Sequence, residues 1–270
     1  MSDLFPAASA AAMAHAESEY PNECVGVITL DGEYVPLENV SRTPQTHFEI
    51  SEEDDFKYAT LDDDDNPKVA AIMHSQCYAK DEIDPTLIGP SKADMEQCIA
   101  TRCTWGLVPC INGFAEQPVY WGDFLLDTPL LGRTFVPQVT DCYNAIRSFY
   151  WQVYQLKLPE FPRDWNWWRE NENLYDEGFA KAGFDVIDMG DLAPGDVVLA
   201  QIRSPVPNHA VVILDAGLMY HHPQQMLSVR EPFGRWRTYG VKAIRHRSFG
   251  GNPPPIPPEN LSNVFGEKDY

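Results

Sequence analysis

Thr140-Asp141-Cys142-Tyr143-Asn144-Ala145-Ile146 opens the stretch whose reading decides the fold. Beyond Cys142, apolar side chains return at Ala145, Ile146, Phe149, Val153 and Leu156. Steps of three and four place them on one face of a helix, the face that packs on a core. Thr140 or Asp141 can cap that helix, and Pro159 is expected to stop it. Cys142 then lies in the first turn, where unpaired backbone N–H groups and the helix dipole favour an anion. Such a place lowers a thiol's pKa and makes a thiolate available. A thiolate nucleophile still needs a base to move protons to the leaving group.

Candidates for that base follow downstream. Leu192-Ala193-Pro194-Gly195-Asp196 reads as a turn before the β-rich run Val197 to Ile202. His209 opens another strand that runs to Leu214 and turns at Asp215-Ala216-Gly217, and Leu218-Met219-Tyr220-His221-His222 returns. So short a turn makes a hairpin, with His209 across from the His221/His222 pair. One histidine can orient the other, giving a Cys-His-polar triad. A shift of one residue in the turn register exchanges His221 for His222. The reading requires the Cys142 sulfur and the His209 imidazole to meet within hydrogen-bonding range.

Asp141-Cys142, Pro194-Gly195-Asp196-Val197-Val198, and His209 followed twelve residues later by His221 carry a resemblance. Across residues 130 to 233 the chain looks like the NlpC-type peptidases, papain-like cysteine enzymes that cut peptidoglycan stem peptides. The resemblance implies an α+β domain with an antiparallel sheet. It implies Cys142 as nucleophile, His209 as base and His221 as the residue that orients the base, with no cofactor required. It also implies acyl transfer at a stem-peptide bond such as D-glutamyl–diaminopimelate, the oxyanion being held by the Cys142 backbone N–H. Tyr143 stands where the family usually has a small residue.

The first half reads in order. Phe5 to Glu19 is alanine-rich and helical, ending at Pro21. Glu23 to Ile28 and Glu33 to Leu37 are strands, Asn39 to Thr46 a loop, and Phe48-Glu49-Ile50 a short strand. Val69 to Met73 is a fully apolar run, expected to be a buried strand delivering His74-Ser75 to its C-terminal end. Pro90-Ser91-Lys92-Ala93-Asp94 then caps a helix reaching about Thr101.

His15-Ala16 before Tyr20-Pro21-x-Glu23-Cys24-x-Gly26, then His74-Ser75, then Ser91-x-x-Asp94, resemble the JAB/MPN (JAMM) metalloprotease domain. That family's pattern implies Glu23 as general base, His74 and Asp94 as zinc ligands, and Ser91 beside the tetrahedral intermediate. Gln76 replaces the second ligand histidine, and the loop from Gln76 to Ser91 is longer than the motif's. Catalytic zinc takes three protein ligands plus water and prefers nitrogen, sulfur or carboxylate donors, so a neutral glutamine carbonyl is a poor substitute. The expectation is a degenerate, structural domain without bound zinc.

Three segments are thus expected: residues 1–123 as the JAMM-like α/β sandwich, 124–249 as the NlpC-type α+β domain, and 250–270 as a Pro-rich tail. Gln117 to Gly132 reads as the linker, with the boundary near Asp123. Phe161 to Trp168 carries three tryptophans ahead of a helix from Glu172 to Ala182. They either line a substrate groove or pack in a core. The proline run after Gly250 is extended, either a free tail or a strap on a neighbouring subunit.

Net charge is −20, from 40 acidic against 20 basic residues, which excludes nucleic acid as an expected partner. At 44% hydrophobic residues over 270 positions the chain can fill two cores. It shows no membrane-length apolar run and no leader, so synthesis in a cytosol is expected. Acids gather at 51–55 and at Asp62-Asp63-Asp64-Asp65, the latter reading as a solvated turn rather than a calcium loop. Six cysteines with no Cys-x-x-Cys pair argue against disulfides, and Cys98, Cys103 and Cys110 match no zinc-ribbon spacing. A JAMM-like domain ahead of an NlpC-type one resembles the tail-tip assembly family of lambda-like siphophages. That pairing implies a virion tail-tip component made in the host cytoplasm and acting in the host cell envelope. Its implied partners are peptidoglycan and other tail-tip proteins.

Overall fold

The computed structural model describes residues 3–79, 84, 87–170 and 172–256. The fold is mixed α+β, with two six-stranded sheets and few helices. The chain divides into two compact units, Met1–Phe124 and Leu125–Tyr270.

In the first unit, α1 (Pro6–Glu19) has proline in its first turn, where a missing N–H costs nothing. It buries Ala8, Ala12 and Ala16, whose spacing of four is one helical stripe. Strands β1 (Val25–Ile28), β2 (Tyr34–Leu37), β3 (Ala71–Tyr78), β4 (Thr104–Ile111) and β5 (Phe114–Ala115) lie in the order β2-β1-β3-β4-β5, and β6 (Val119–Trp121) also pairs with β4. Among the described residues of this sheet only β3 and β4 run parallel. The crossover between them carries α3 (Lys92–Thr101), the connection that parallel neighbours require. The acidic stretch forms α2 (Glu52–Asp54), capped by Ser51, which runs on into a π-helical turn at Asp55–Ala59. Asp62 Oδ1 accepts the N–H groups of Asp64 and Asn66 at 2.9 and 2.8 Å, an Asx-type turn as expected of an exposed acidic run.

Three expectations for this unit need correction. Phe48-Glu49-Ile50 forms no strand; Glu49 bonds instead to Val40 and to the Asn39 side chain. The apolar run does not end at His74-Ser75. Pairing with β4 continues from Ala71↔Thr104 to Tyr78↔Ile111, so both residues sit in mid-strand. Nor is Gln117 to Gly132 a single linker, because Val119–Trp121 joins the sheet against Leu107–Trp105. Of the loop Gln76–Ser91, residues 80–83, 85 and 86 lie outside the described residues.

The second unit is built on α4 (Cys142–Tyr154) laid across an antiparallel sheet. The strands are β7 (Phe184–Ile187), β8 (Val197–Ala200), β9 (His209–Ile213), β10 (Leu218–His221), β11 (Val229–Pro232) and β12 (Gly240–His246), in the order β11-β10-β9-β8-β12-β7. Ala145, Ile146, Phe149 and Val153 all pack into the core with Val197, Leu199, Ala210, Val212 and Tyr220. Each of the Val, Ile, Leu and Phe side chains among them contributes about 1.5–3 kcal/mol on burial. Alternation sends Val198, Val211, Ile213 and Met219 to the other face, under Phe233 and Trp236.

The helix stops at Tyr154 rather than near Pro159. Gln155 turns left-handed at φ 54° and returns its N–H to Trp151, so Leu156 packs on the core from outside the helix. The expected helix from Glu172 shrinks to α5 (Leu174–Gly178). The Pro-rich segment is no free tail over its described part: Ile256 is 4% exposed and belongs to this unit's core. Residues 257–270 lie outside the described residues. Among the described residues no helix is long and apolar enough to cross a membrane.

The Pro-Gly-Asp turn has a physical explanation. Gly195 takes φ +98°, and a Cβ there would meet Tyr154 Oη at 2.2 Å. Asp196 is fully buried, and Arg245 grips it through Nε at 2.8 Å and Nη2 at 2.7 Å.

Candidate active site

α4 starts at Cys142 because Asp141 accepts the Asn144 N–H at 3.0 Å. Thr140 is engaged elsewhere, its hydroxyl donating to Thr134 O at 2.6 Å, so the cap is Asp141. Arg163 holds the other oxygen of that carboxylate through Nε at 2.9 Å and Nη2 at 2.7 Å. Its Nη1 reaches Glu160 Oε1 at 2.8 Å. Burial works against the guanidinium's charge, but Asp141 and Glu160 outweigh it and hold it firmly protonated.

Cys142 is partly exposed, with Sγ 3.1 Å from Tyr175 Oη. Its thiol is pushed up to about 11. Burial is the largest cause and the Asp141 charge adds to it; Tyr175, Arg163 and the Ala210 N–H offset only part. This corrects the expectation of a lowered thiol. The anion preference of the helix start is already taken up by the capping carboxylate.

The hairpin register pairs Met219 with Ile213 and Tyr220 with Val212. Continued, it sets His221 opposite Val211, so His209 meets His221 on the diagonal of the same face rather than straight across. His209 Nε2 lies 2.9 Å from His221 Nδ1, and His221 Nε2 lies 2.9 Å from Glu231 Oε1. His222 points to the opposite face, bonding Met226 O at 3.1 Å beside Phe135. Of the two alternatives, therefore, His221 is the partner of His209. Burial first, then His221 and His222, push His209 down to about 3. Burial also lowers His221, partly offset by Glu231. At neutral pH both imidazoles are uncharged.

Cys142 and His209 line one cavity of about 110 Å³. Trp165, Trp167 and Trp168 form part of its wall, packed edge to face on one another and on Tyr175. Among the described residues no hydrogen bond joins the sulfur to the imidazole, which corrects the expected direct contact. The reason lies in the alternation. His209 shares the face of Val211 and Ile213, turned from α4, and Sγ reaches the Ala210 N–H instead.

The first unit collects its own polar group. His74 is 1% exposed, with Nε2 3.4 Å from Asp94 Oδ1 and its ring among Phe48, Trp105 and Trp121. Ser91 and Asp94 close a capping box at the start of α3. Glu23 is pushed up to about 7 by burial and then by the Asp94 charge. Gln76 shares the face of His74, but its carbonyl accepts the Tyr78 hydroxyl. Cys77 faces away and bonds Asn22 O at 3.4 Å. Among the described residues no three His, Cys, Asp or Glu side chains come together to hold a metal. Among the described residues His74 and Asp94 supply two donors, whereas catalytic zinc takes three from the protein. Cys98, Cys103 and Cys110 are buried thiols bonded to Cys103 O, Thr101 Oγ1 and Ala16 O.

Tyr175, Glu231 and Arg163 escape a reading of the sequence. Each reaches the site by tertiary contact, and none stands at a spacing that marks it.

The profile of the NlpC/P60 family matches residues 131–245. Tail tip assembly protein K of Escherichia phage N15 is 33% identical over 248 residues, covering 90% of this chain and 95% of that protein. Tail tip assembly protein K of Escherichia phage lambda is 36% identical over 121 residues, covering 44% of this chain and 60% of that protein.

Proposed function

The chain belongs to the tail tip assembly protein K family, and from that premise we propose that it is a virion tail-tip component whose second unit cuts peptidoglycan stem peptides by thiol acyl transfer. The observation that carries this reading is the His209–His221 contact of 2.9 Å beside a helix-start cysteine in one cavity. Tyr175 releases the sulfur as a substrate carbonyl enters. His209 takes the thiol proton, the S–C bond forms, and the Cys142 backbone N–H faces the oxyanion. Collapse breaks the C–N bond, and His209 returns the proton to the leaving amine. Water then hydrolyses the thioester, completing the cycle. Catalytic hydrogen bonds are often absent from unliganded sites and form in the Michaelis complex, as this step requires of Cys142 and His209.

The substrate is host peptidoglycan, the partners are other tail-tip proteins, and the site of action is the host envelope. The JAMM-like arrangement of the first unit is proposed as structural. Purified protein incubated with sacculi is expected to release stem-peptide fragments detectable by mass spectrometry. Prior alkylation should stop the release and a chelator should leave it unchanged. Equal release before and after alkylation would sink the reading. The Sγ–Tyr175 contact favours a second reading, an assembly factor with an idle thiol, for which no fragments appear at all.

A further inference from the structure

The hairpin of β10 and β11 carries a carboxylate in line with the two histidines. Glu231 pairs in register with Met219, two residues from His221 on the same face. Its Oε1 accepts from His221 Nε2 at 2.9 Å and from Trp236 Nε1 at 3.1 Å, and its Oε2 accepts from Arg235 at 2.7 Å. The Trp236 ring packs on both imidazoles, with centroids 5.7 Å from His209 and 4.6 Å from His221.

An ionised carboxylate only accepts, so His221 Nε2 carries its proton. A neutral imidazole has one N–H, which leaves a lone pair on His221 Nδ1. That lone pair must accept from His209 Nε2–H. His209 Nδ1 is then the bare nitrogen. It makes no hydrogen bond among the described residues, and His209 is one of the residues that line the cavity holding Cys142. Without the carboxylate the two histidines can exchange roles. His221 Nδ1–H would donate to His209 Nε2, and His209 Nδ1 would carry a proton where a base is needed. We propose that Glu231 is a positioning residue that selects, through His221, the tautomer of His209 able to accept the thiol proton. The alternative is that Glu231 only ties down Arg235. The Arg235 side chain is 76% exposed, and such a pair contributes little.

The proposal rests on the hydrolytic reading, but its test does not depend on activity. Protein labelled with ¹⁵N in histidine reports each tautomer through two-bond proton–nitrogen correlations. The native chain at neutral pH is expected to show His209 as Nε2–H alone. Glu231→Leu should show a mixture with Nδ1–H, and Glu231→Gln, whose carbonyl still accepts, should restore the single form. Glu231→Met, with its unbranched stem, serves if leucine does not fold on this edge strand. Where fragments are released, the leucine variant should lose about 10- to 100-fold in kcat with KM unchanged, the usual size of an outer-shell effect. A leucine or methionine variant that keeps His209 wholly as Nε2–H would overturn the proposal. A native chain that releases nothing would end the lytic reading and leave the tautomer result standing.

Discussion

Cys142→Ala is expected to stop fragment release outright, and His209→Ala to reduce it by about three orders of magnitude, a general base contributing about 10²–10⁴. The double variant should lose no more than Cys142→Ala alone if, as proposed, nucleophile and base act as one unit. With the thiol at about 11, its thiolate fraction at neutral pH is about 10⁻⁴ unless a base assists. With His209 at about 3, the resting pair is thiol and imidazole, both neutral. On the proposed reading, proton transfer then belongs to the transition state. Wild-type and Cys142→Ala proteins releasing equal fragments would refute this account.

The same histidine carries a stability consequence. Its unfolded pKa is near 6.5 and its folded value about 3, so between those pH values the unfolded chain binds more protons. The stability it contributes is fully present above about 6.5 and drains as pH falls toward 3. His222, pushed down to about 4, acts in the same direction. Melting curves of the native chain should fall steeply in temperature between pH 7 and pH 4, and those of His209→Ala less so. Equal slopes would exclude His209 as a source.

What could be read from the chain follows how local each determinant is. α4 was legible because its apolar intervals and its Asp cap lie within a few residues, and so was the Pro-Gly-Asp turn. Its end was not, since Pro159 is a weaker stop than Gln155 in a left-handed turn four residues earlier. The hairpin was legible from its turn, but the diagonal meeting of His209 and His221 depends on a register that the turn alone leaves open. That same alternation decides between His221 and His222 and turns His209 to the face away from α4. His74 in mid-strand results from pairing with β4, a partner distant in the chain. Tyr175 on the thiol and Glu231 on His221 arrive from separate elements, and no periodicity announces them.

Arg163→Met should lower the melting temperature of the second unit by roughly 10 °C, a loss of about 3–5 kcal/mol, the usual cost of removing one partner from a buried ion pair. Arg163 is 5% exposed and uses Nε, Nη1 and Nη2 on Asp141, Glu160 and the carbonyls of Phe161 and Gln138. Removing it leaves Asp141 charged at the start of α4 with no cation against it, while the carbonyl of Gln138 keeps the Asn144 amide as donor. Glu160 keeps its contact with Arg147, so the damage centres on Asp141. Adding Asp141→Asn should therefore restore part of the loss. Asparagine still accepts the Asn144 N–H as a cap, and the unpaired charge is gone. The thiol gives an independent readout. Both Arg163 and Asp141 act on it, in opposite directions, so methionine at 163 should move the onset of Cys142 alkylation to higher pH and the double variant should move it back. A double variant no more stable than Arg163→Met would mean that the guanidinium holds the loop through its carbonyl bonds, and that the ion pair with the helix cap matters little.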